Sequence, residues 1–298
     1  MSVHRRCLRP TAAMAILLTA TWVIGLSACN RPESSAKTAP DVVRIVSLSP
    51  ALTRTMVDLE IQDLLVGRSR FCDAVDQDIP AVGDLFDIDY ERLTRLQPTH
   101  VVIQPAASGI APELQSLSKR QGWTVQAWPL NTIDDVRTMT SELAQGVAAR
   151  LPDRHDAITN RASALDAALQ RAATPLDGNV RTLVLQGLDP VLAAGTSTYV
   201  DELLRAAGGV NAVSAVGWAE LSLEDVVRLN PEVIIVLHTG QITEDAWNAT
   251  ALATLSCDAV RNDRIDLIAS DAAMLPSSAL ATLLDPFQRA VGGSVSVP

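Results

Sequence analysis

The 298-residue sequence predicts an α/β protein built as two similar lobes with mainly parallel sheets, joined by one long helix. Three observations carry this expectation. Short β-branched runs alternate with helical stretches, the pattern of βα units with parallel pairing. One block of sequence occurs twice, 133 residues apart. Between the copies lies a stretch without glycine, long enough to form a helix that serves both.

The chain opens on a segment that stands outside this plan. Arg5, Arg6 and Arg9 form a basic head, and Ala12 to Ile24 a mostly apolar stretch. That stretch is too short for a spanning helix, which needs about 20 apolar residues. Leu26-Ser27-Ala28-Cys29 then resembles a bacterial lipobox, whose small residues let a peptidase reach the backbone beside the cysteine. The resemblance implies a signal peptide at 1–28 and a lipidated Cys29; an ordinary cleaved signal with a chance cysteine is the plainer alternative. Residues 29–41, with Pro32, Ser34, Ser35 and Pro40, read as a flexible tether. The expected product is an exported lipoprotein held on the periplasmic or extracellular face of a membrane.

Residues 42–150 are assigned to the first lobe. Val42 to Leu48 is a β-branched strand stopped by Ser49-Pro50, and Ala51 to Leu65 carries apolar residues at helical spacing up to Gly67. His100 to Gln104 and Thr124 to Trp128 are buried-strand candidates. An interlobe segment, 151–175, follows; Ile158, Ala162, Leu165 and Leu169 recur at helical spacing along Leu151 to Ala173. A single helix is a stiff connector, so only small lobe motions are expected. Residues 176–298 form the second lobe, with strands at Thr182 to Gln186, Val233 to Leu237 and Arg264 to Ala269. Ser197 reads as the start of a helix at Tyr199.

The repeat is detailed. Ala81-Val82-Gly83, Tyr90-Glu91-Arg92-Leu93, Arg95-Leu96-Gln97-Pro98 and Val101-Val102-Ile103 are echoed by Ala215-Val216-Gly217, Leu223-Glu224-Asp225-Val226, Arg228-Leu229-Asn230-Pro231 and Val233-Ile234-Ile235-Val236. A second echo joins Arg44-Ile45-Val46 to Arg181-Thr182-Leu183-Val184. Each copy reads as a short helix with an acidic start, a proline stop and a strand. Glu91 and Glu224 suit the positive end of a helix dipole, which is their plainest role.

Composition narrows the function. With 48% hydrophobic and 19% charged residues the chain is not disordered. Residues 1–28 hold three of the 24 bases and none of the 34 acids, so the body is strongly acidic and a poor partner for nucleic acid. Cys72 and Cys257 remain in the body; export permits a disulfide between them, and two separate buried thiols are as good a reading. His100, His155 and His238 have no metal-ligand spacing, which disfavours a bare metal ion. A lipid-anchored hydrolase is the competing class, but G-x-S-x-G, H-E-x-x-H, G-x-x-x-x-G-K-[ST] and G-x-G-x-x-G after a strand are all absent from the sequence.

From Val43 onward the chain resembles class III substrate-binding proteins of bacterial ABC importers, the group serving cobalamin, ferric siderophores and haem. The resemblance rests on Arg44 to Pro50, Val66-Gly67 before Phe71-Cys72-Asp73, Ile79 to Gly83, Glu91 to Pro98, Tyr199 to Leu204 before Gly208 to Asn211, and Glu224 to Pro231. Ala74-Val75-Asp76 depart from it, where an aromatic and prolines are usual. It implies a carrier, not an enzyme, with a ligand cleft between the lobes and no resident cofactor. The ligand-facing positions it implies are Ser49, Phe71, Phe86, Gln104 and Trp128 in the first lobe, and Leu188, Trp218, His238 and Asp271 in the second. Phe71, Phe86 and Trp218 would press on a large ring system, Gln104 and Asp271 would bond peripheral amides, and Phe71 and Trp128 are equally explained as core. Glu91 and Glu224 would dock on arginines of a permease dimer, the binding protein acting as a monomer. Catecholate siderophores would want several bases, and only Arg68 and Arg70 stand near a strand end. Haem would favour an axial His238 or Tyr199. The Phe71-Cys72-Asp73 turn looks most like the cobalamin-binding branch, so a nearly neutral, amide-rich corrinoid ranks first, a siderophore second and haem third.

Overall fold

The computed structural model describes residues 42–292; the basic head, the lipobox with Cys29 and the tether lie outside the described residues. The first lobe runs β1 (Ile45–Ser47), α1 (Pro50–Asp58), β2 (Leu65–Arg68), α2 (Tyr90–Leu96), β3 (His100–Ile103), α3 (Pro112–Gln121) and β4 (Thr124–Ala127). Its four strands are all parallel, in the order β2-β1-β3-β4. Next come α4 (Ile133–Ala148) and α5 (His155–Ala173). The second lobe holds β5 (Val180–Leu188), β6 (Val191–Ala194), α6 (Tyr199–Ala206), β7 (Gly209–Asn211), β8 (Trp218–Leu221), α7 (Leu223–Leu229), β9 (Val233–His238), α8 (Glu244–Asn248), α9 (Asp258–Arg261), β10 (Ile265–Ala269) and α10 (Leu284–Gly292). Its sheet runs β10-β9-β5-β6-β8, with β7 beside the first half of β5.

The repeated block folds alike in both lobes. Asp89 accepts a hydrogen bond from the Arg92 amide at the start of α2, and Ser222 from the Asp225 amide at the start of α7. Each helix ends on a left-handed residue, Gln97 (φ 47°) and Asn230 (φ 42°), before a proline that cannot continue it. Arg44 donates to the carbonyls of Leu96 and Gln97, and Arg181 donates twice to that of Asn230. A guanidinium there satisfies carbonyls that the helix leaves open and complements its dipole. The echoed arginines are thus the clasps that hold each short helix on its sheet.

Several expectations are corrected. The helix expected from Ala51 to Leu65 stops at Asp58, because Glu60 turns left-handed (φ 61°) and a 3-10 turn, Gln62–Leu64, leads into the unforeseen β2. Pro152 opens a separate 3-10 turn, so the interlobe helix begins at His155. Thr198, not Ser197, caps α6, accepting from the Asp201 amide. The second sheet keeps the expected parallel pairing of β5 with β7 and β9 and of β9 with β10, while β6 runs antiparallel to both β5 and β8. Of the two readings left open for Cys72 and Cys257, the structure has separate buried thiols, and burial pushes the Cys72 thiol up.

The lobes share more than a connecting rod. One hydrophobic cluster joins Ile45, Leu52 and Met56 of the first sheet side to Val184, Leu203, Leu237 and Phe287 of the second, with Ile158 and Leu169 of α5 between them. Ser278 crosses back to α1, its amide bonding Thr55 Oγ1 at 3.2 Å and its hydroxyl Asp58 at 2.7 Å. From the second lobe, Glu202 accepts from the first amide of α4, that of Ile133, at 2.6 Å, and the Tyr199 amide donates to the Asn131 carbonyl at 2.7 Å. A continuous apolar backing resists separation, because opening it would expose surface on both sides.

Burial raises the pKa of Glu202 above the usual carboxylate range, outweighing the Ile133 hydrogen bond and the nearby Arg205, while Asp201 and Asp135 push the same way. A raised acid pKa favours the folded state below the ordinary glutamate range, and that contribution is lost as pH rises through the folded pKa. Glu202→Gln keeps an acceptor without the charge. It is therefore expected to melt higher than the parent at pH 7, with the gap closing towards pH 4. Glu202→Ala, which leaves the Ile133 amide unpaired, is expected to cost about 1 kcal/mol at pH 4 and less at pH 7, where the parent carries the buried charge. Thermal melts of the three proteins across this range check both statements.

Candidate ligand cleft

Two chambers lie in the gap between the lobes, and a third adjoins them on the first lobe. The first, about 500 Å3, is walled by Gln104, Leu130 and Asn131 on one side and by Gln186, Thr198, Tyr199, Trp218 and Met274 on the other. The second, about 430 Å3, lies between Arg54, Phe71 and Asp73 and the opposed Thr239, Gln241, Asp271 and Met274. A smaller one, about 170 Å3, is enclosed by Leu48, Ser49, Asp84, Leu85, Phe86, Phe71 and Gln104. Shared walls make them one trough: Gln104 joins the first to the third, Phe71 the second to the third, and Met274 the first to the second.

The chain delivers these side chains from segments that leave its strands. Ser49 follows β1, Phe71 and Asp73 follow β2, and Gln104 follows β3; on the other side Thr239 follows β9 and Asp271 follows β10. Loops after strand ends are where open α/β sheets present binding groups. Arg68, at the end of β2, is buried and bonds the carbonyls of Ser69 and Gln77, so it holds the Phe71 loop from inside. Ser49 is also buried, and its hydroxyl has no hydrogen-bond partner.

Of the expected positions, Ser49, Phe71, Phe86, Gln104, Trp218 and Asp271 meet along this trough. Three do not. Trp128 is core, only 6% exposed, with its indole N–H donating to Glu142 at 2.7 Å. Leu188 packs on the second lobe's own cluster. His238 is buried, and its Nδ1 accepts from the amides of Gly240 and Ile242. The proton of the neutral ring then sits on Nε2, leaving no lone pair there for a metal.

The structure adds Asn131 and Gln186, which the sequence did not point to, and brings in Tyr199, which the resemblance offered only as an axial residue for haem. Tyr199 stands at the back of the first chamber, its ring edge-on to Trp218 at 6.1 Å and 62°, its hydroxyl accepting from Gln186 at 3.2 Å. Burial raises its pKa despite that bond, so the phenol is favoured over the phenolate. Asn131 and Gln186 also face the first chamber; a polar amide in an otherwise apolar strand was the one signal for Gln186.

The charge pattern is uneven. The first chamber has no charged side chain. Arg54, in the second, is paired with Asp58 at 3.1 Å. Arg68 is buried behind the loop, and Arg70 is paired with Asp84 and Asp87, each at 3.0 Å. Asp73 and Asp271 line the second chamber from opposite lobes with no ion pair among the described residues. The described residues hold no group of three or more metal-ligating side chains.

Comparison with known proteins bears on this trough. A model of the periplasmic binding protein family matches residues 45–272. The chain belongs to that family. It is thereby an extracytoplasmic substrate-binding protein of ABC importers, a carrier and not a catalyst, which sets the hydrolase alternative aside. The high-affinity heme uptake system protein IsdE of Staphylococcus aureus is 22% identical over 228 residues, 74% of this chain and 76% of the relative. The vitamin B12 binding protein BtuF of Vibrio cholerae shares the fold at a TM-score of 0.64, with 21% identity over 84% of this chain and 96% of that one. The heme binding protein HutB of Vibrio cholerae matches at a TM-score of 0.64, with 22% identity over 83% and 99%. The two-lobed α/β architecture of this binding protein is thus shared with solved periplasmic binding proteins.

Proposed function

We propose that this binding protein captures a corrinoid of the cobalamin type and hands it to the permease dimer of an ABC importer, tethered to the membrane through lipid on Cys29. The observation that supports the ligand class most is the charge of the trough. Its one lining base is already paired, its largest chamber offers the neutral amides of Gln104, Asn131 and Gln186, and exposed aromatic rings rim it. A trianionic chelate or a ring with free carboxylates would meet carboxylates here and find no free cation to offset its desolvation. A nearly neutral macrocycle edged with amides finds hydrogen-bond partners and flat apolar contact.

Haem is the second reading, supported by the named haem carriers among the relatives and by the Tyr199 phenol in the first chamber. Calorimetry of the protein with cyanocobalamin, haemin and a ferric siderophore in parallel separates the readings. Saturable one-to-one heat with cyanocobalamin alone is the expected result; binding of haemin or the siderophore with silence from cyanocobalamin would overturn the ranking.

A further inference from the structure

Phe71 and Phe86 are 59% and 88% exposed, on separate loops that meet at the smallest chamber. Rings left this open are loose and costly to order on binding unless something holds them beforehand. Arg70 occupies the position to do so. Its guanidinium carbon lies 5.8 Å from the centre of the Phe71 ring, a cation–π distance. Its Nε and Nη2 reach the carboxylates of Asp84 and Asp87, each at 3.0 Å. Asp84 in turn accepts from the amides of Phe86 (2.8 Å) and Asp87 (3.1 Å), and the Arg70 amide donates to the Gly83 carbonyl. The turn closes on Gly83, whose φ of +97° and the Asp87 carbonyl pressed against it leave no room for a side chain.

We propose that Arg70 is a positioning residue that ties the two aromatic loops together, so that Phe71 and Phe86 stand as two plates of a preformed slot for the flat, apolar edge of the ligand. This rests on the trough being the ligand site, and it gives Arg70 a role other than neutralising an anion: both acids it meets belong to its own lobe, so its charge is already spent within the wall. Only a planar fork contacts two carboxylates and a ring face together, so lysine is a poor substitute.

The test uses the full chain and its Arg70→Gln and Arg70→Lys variants, read in two ways. In the free protein, hydrogen exchange at the amides of Phe86 and Asp87 is expected to quicken about tenfold in Arg70→Gln, since two exposed pairs and one ring contact are lost together. With cyanocobalamin as probe, affinity is expected to fall about tenfold in Arg70→Gln, with Arg70→Lys restoring it only in part. Combined with Phe71→Ala the losses should not add, whereas combined with Trp218→Ala, on the other lobe, they should. Unchanged exchange at Phe86 and Asp87, or full additivity with Phe71→Ala, overturns the proposal. Failure of the unaltered protein to bind cyanocobalamin would count against the ligand assignment alone, and the exchange result then decides the role of Arg70 by itself.

Discussion

Trp218→Ala is expected to weaken ligand binding about a hundredfold while the melting temperature stays within a few degrees of the parent. The indole is 39% exposed on the wall of the first chamber, and its one ring contact is the edge of Tyr199. Truncation therefore opens no sealed cavity in the free protein. In the complex it removes the largest ring of the second lobe's wall, and a central aromatic anchor is worth about 2–3 kcal/mol, the free energy of a hundredfold change. Trp128→Ala supplies the contrast. That indole is core and bonded to Glu142, so its loss should cost about 3–5 kcal/mol of stability and leave the affinity of the folded fraction unchanged. Paired melting and calorimetry on the two variants distinguish wall from core, and loss of affinity in the Trp128 variant but not in the Trp218 variant would reverse the two assignments.

The contrast between these tryptophans also says why parts of the site were legible. The loop expected around Trp218 is in fact the start of β8, entered from Gly217 with φ 78°, and a large ring at the end of so short an edge strand, beside a helix start, has few places to hide. Trp128 ends a strand, and what takes it inward is Glu142, fourteen residues on and brought close only when α4 packs. His238 looked like the polar stop of an apolar run, but the chain turns at once and folds its own amides onto the ring. Asn131 and Gln186 escaped because the chamber they line exists only after the second lobe has packed on the first. For the fold, the repeat was readable because the chemistry that closes each copy is local: a cap, a left-handed residue and a proline within ten residues. The strands β2, β6, β7 and β8 are as short as β1 and β3 but lack the continuous β-branched run that marked those two. Their places are set by neighbours far along the chain, as Trp218–Leu221 is by pairing with Val191–Ala194.

Reversing both Glu91 and Glu224 to arginine is expected to abolish stimulation of the importer's ATPase while ligand affinity stays unchanged. Both side chains are exposed in the first turn of matching helices, and neither lines a chamber of the trough. The topology sets those helix starts in comparable places. The segment before α2 is tied to the end of β2 by the Val82 amide on the Arg68 carbonyl, and α7 leaves β8 where Leu221 faces Val191, itself paired with Leu188 at the end of β5. Two carboxylates on pseudo-symmetric lobes suit a two-fold basic partner, and the reversal should cost each helix less than about 1 kcal/mol through its dipole. The two sites are nevertheless unequal. Glu91 is paired with Arg95, whereas the matching Arg228 is drawn to Asp225 and leaves Glu224 without a partner among the described residues. Docking at Glu91 must first break an ion pair, so Glu224→Arg alone should reduce stimulation more than Glu91→Arg alone, and Arg95→Ala should narrow that difference. Equal single effects would show that the Glu91–Arg95 pair carries no weight in docking, and loss of ligand affinity in the double variant would refute the separation of docking face from ligand trough.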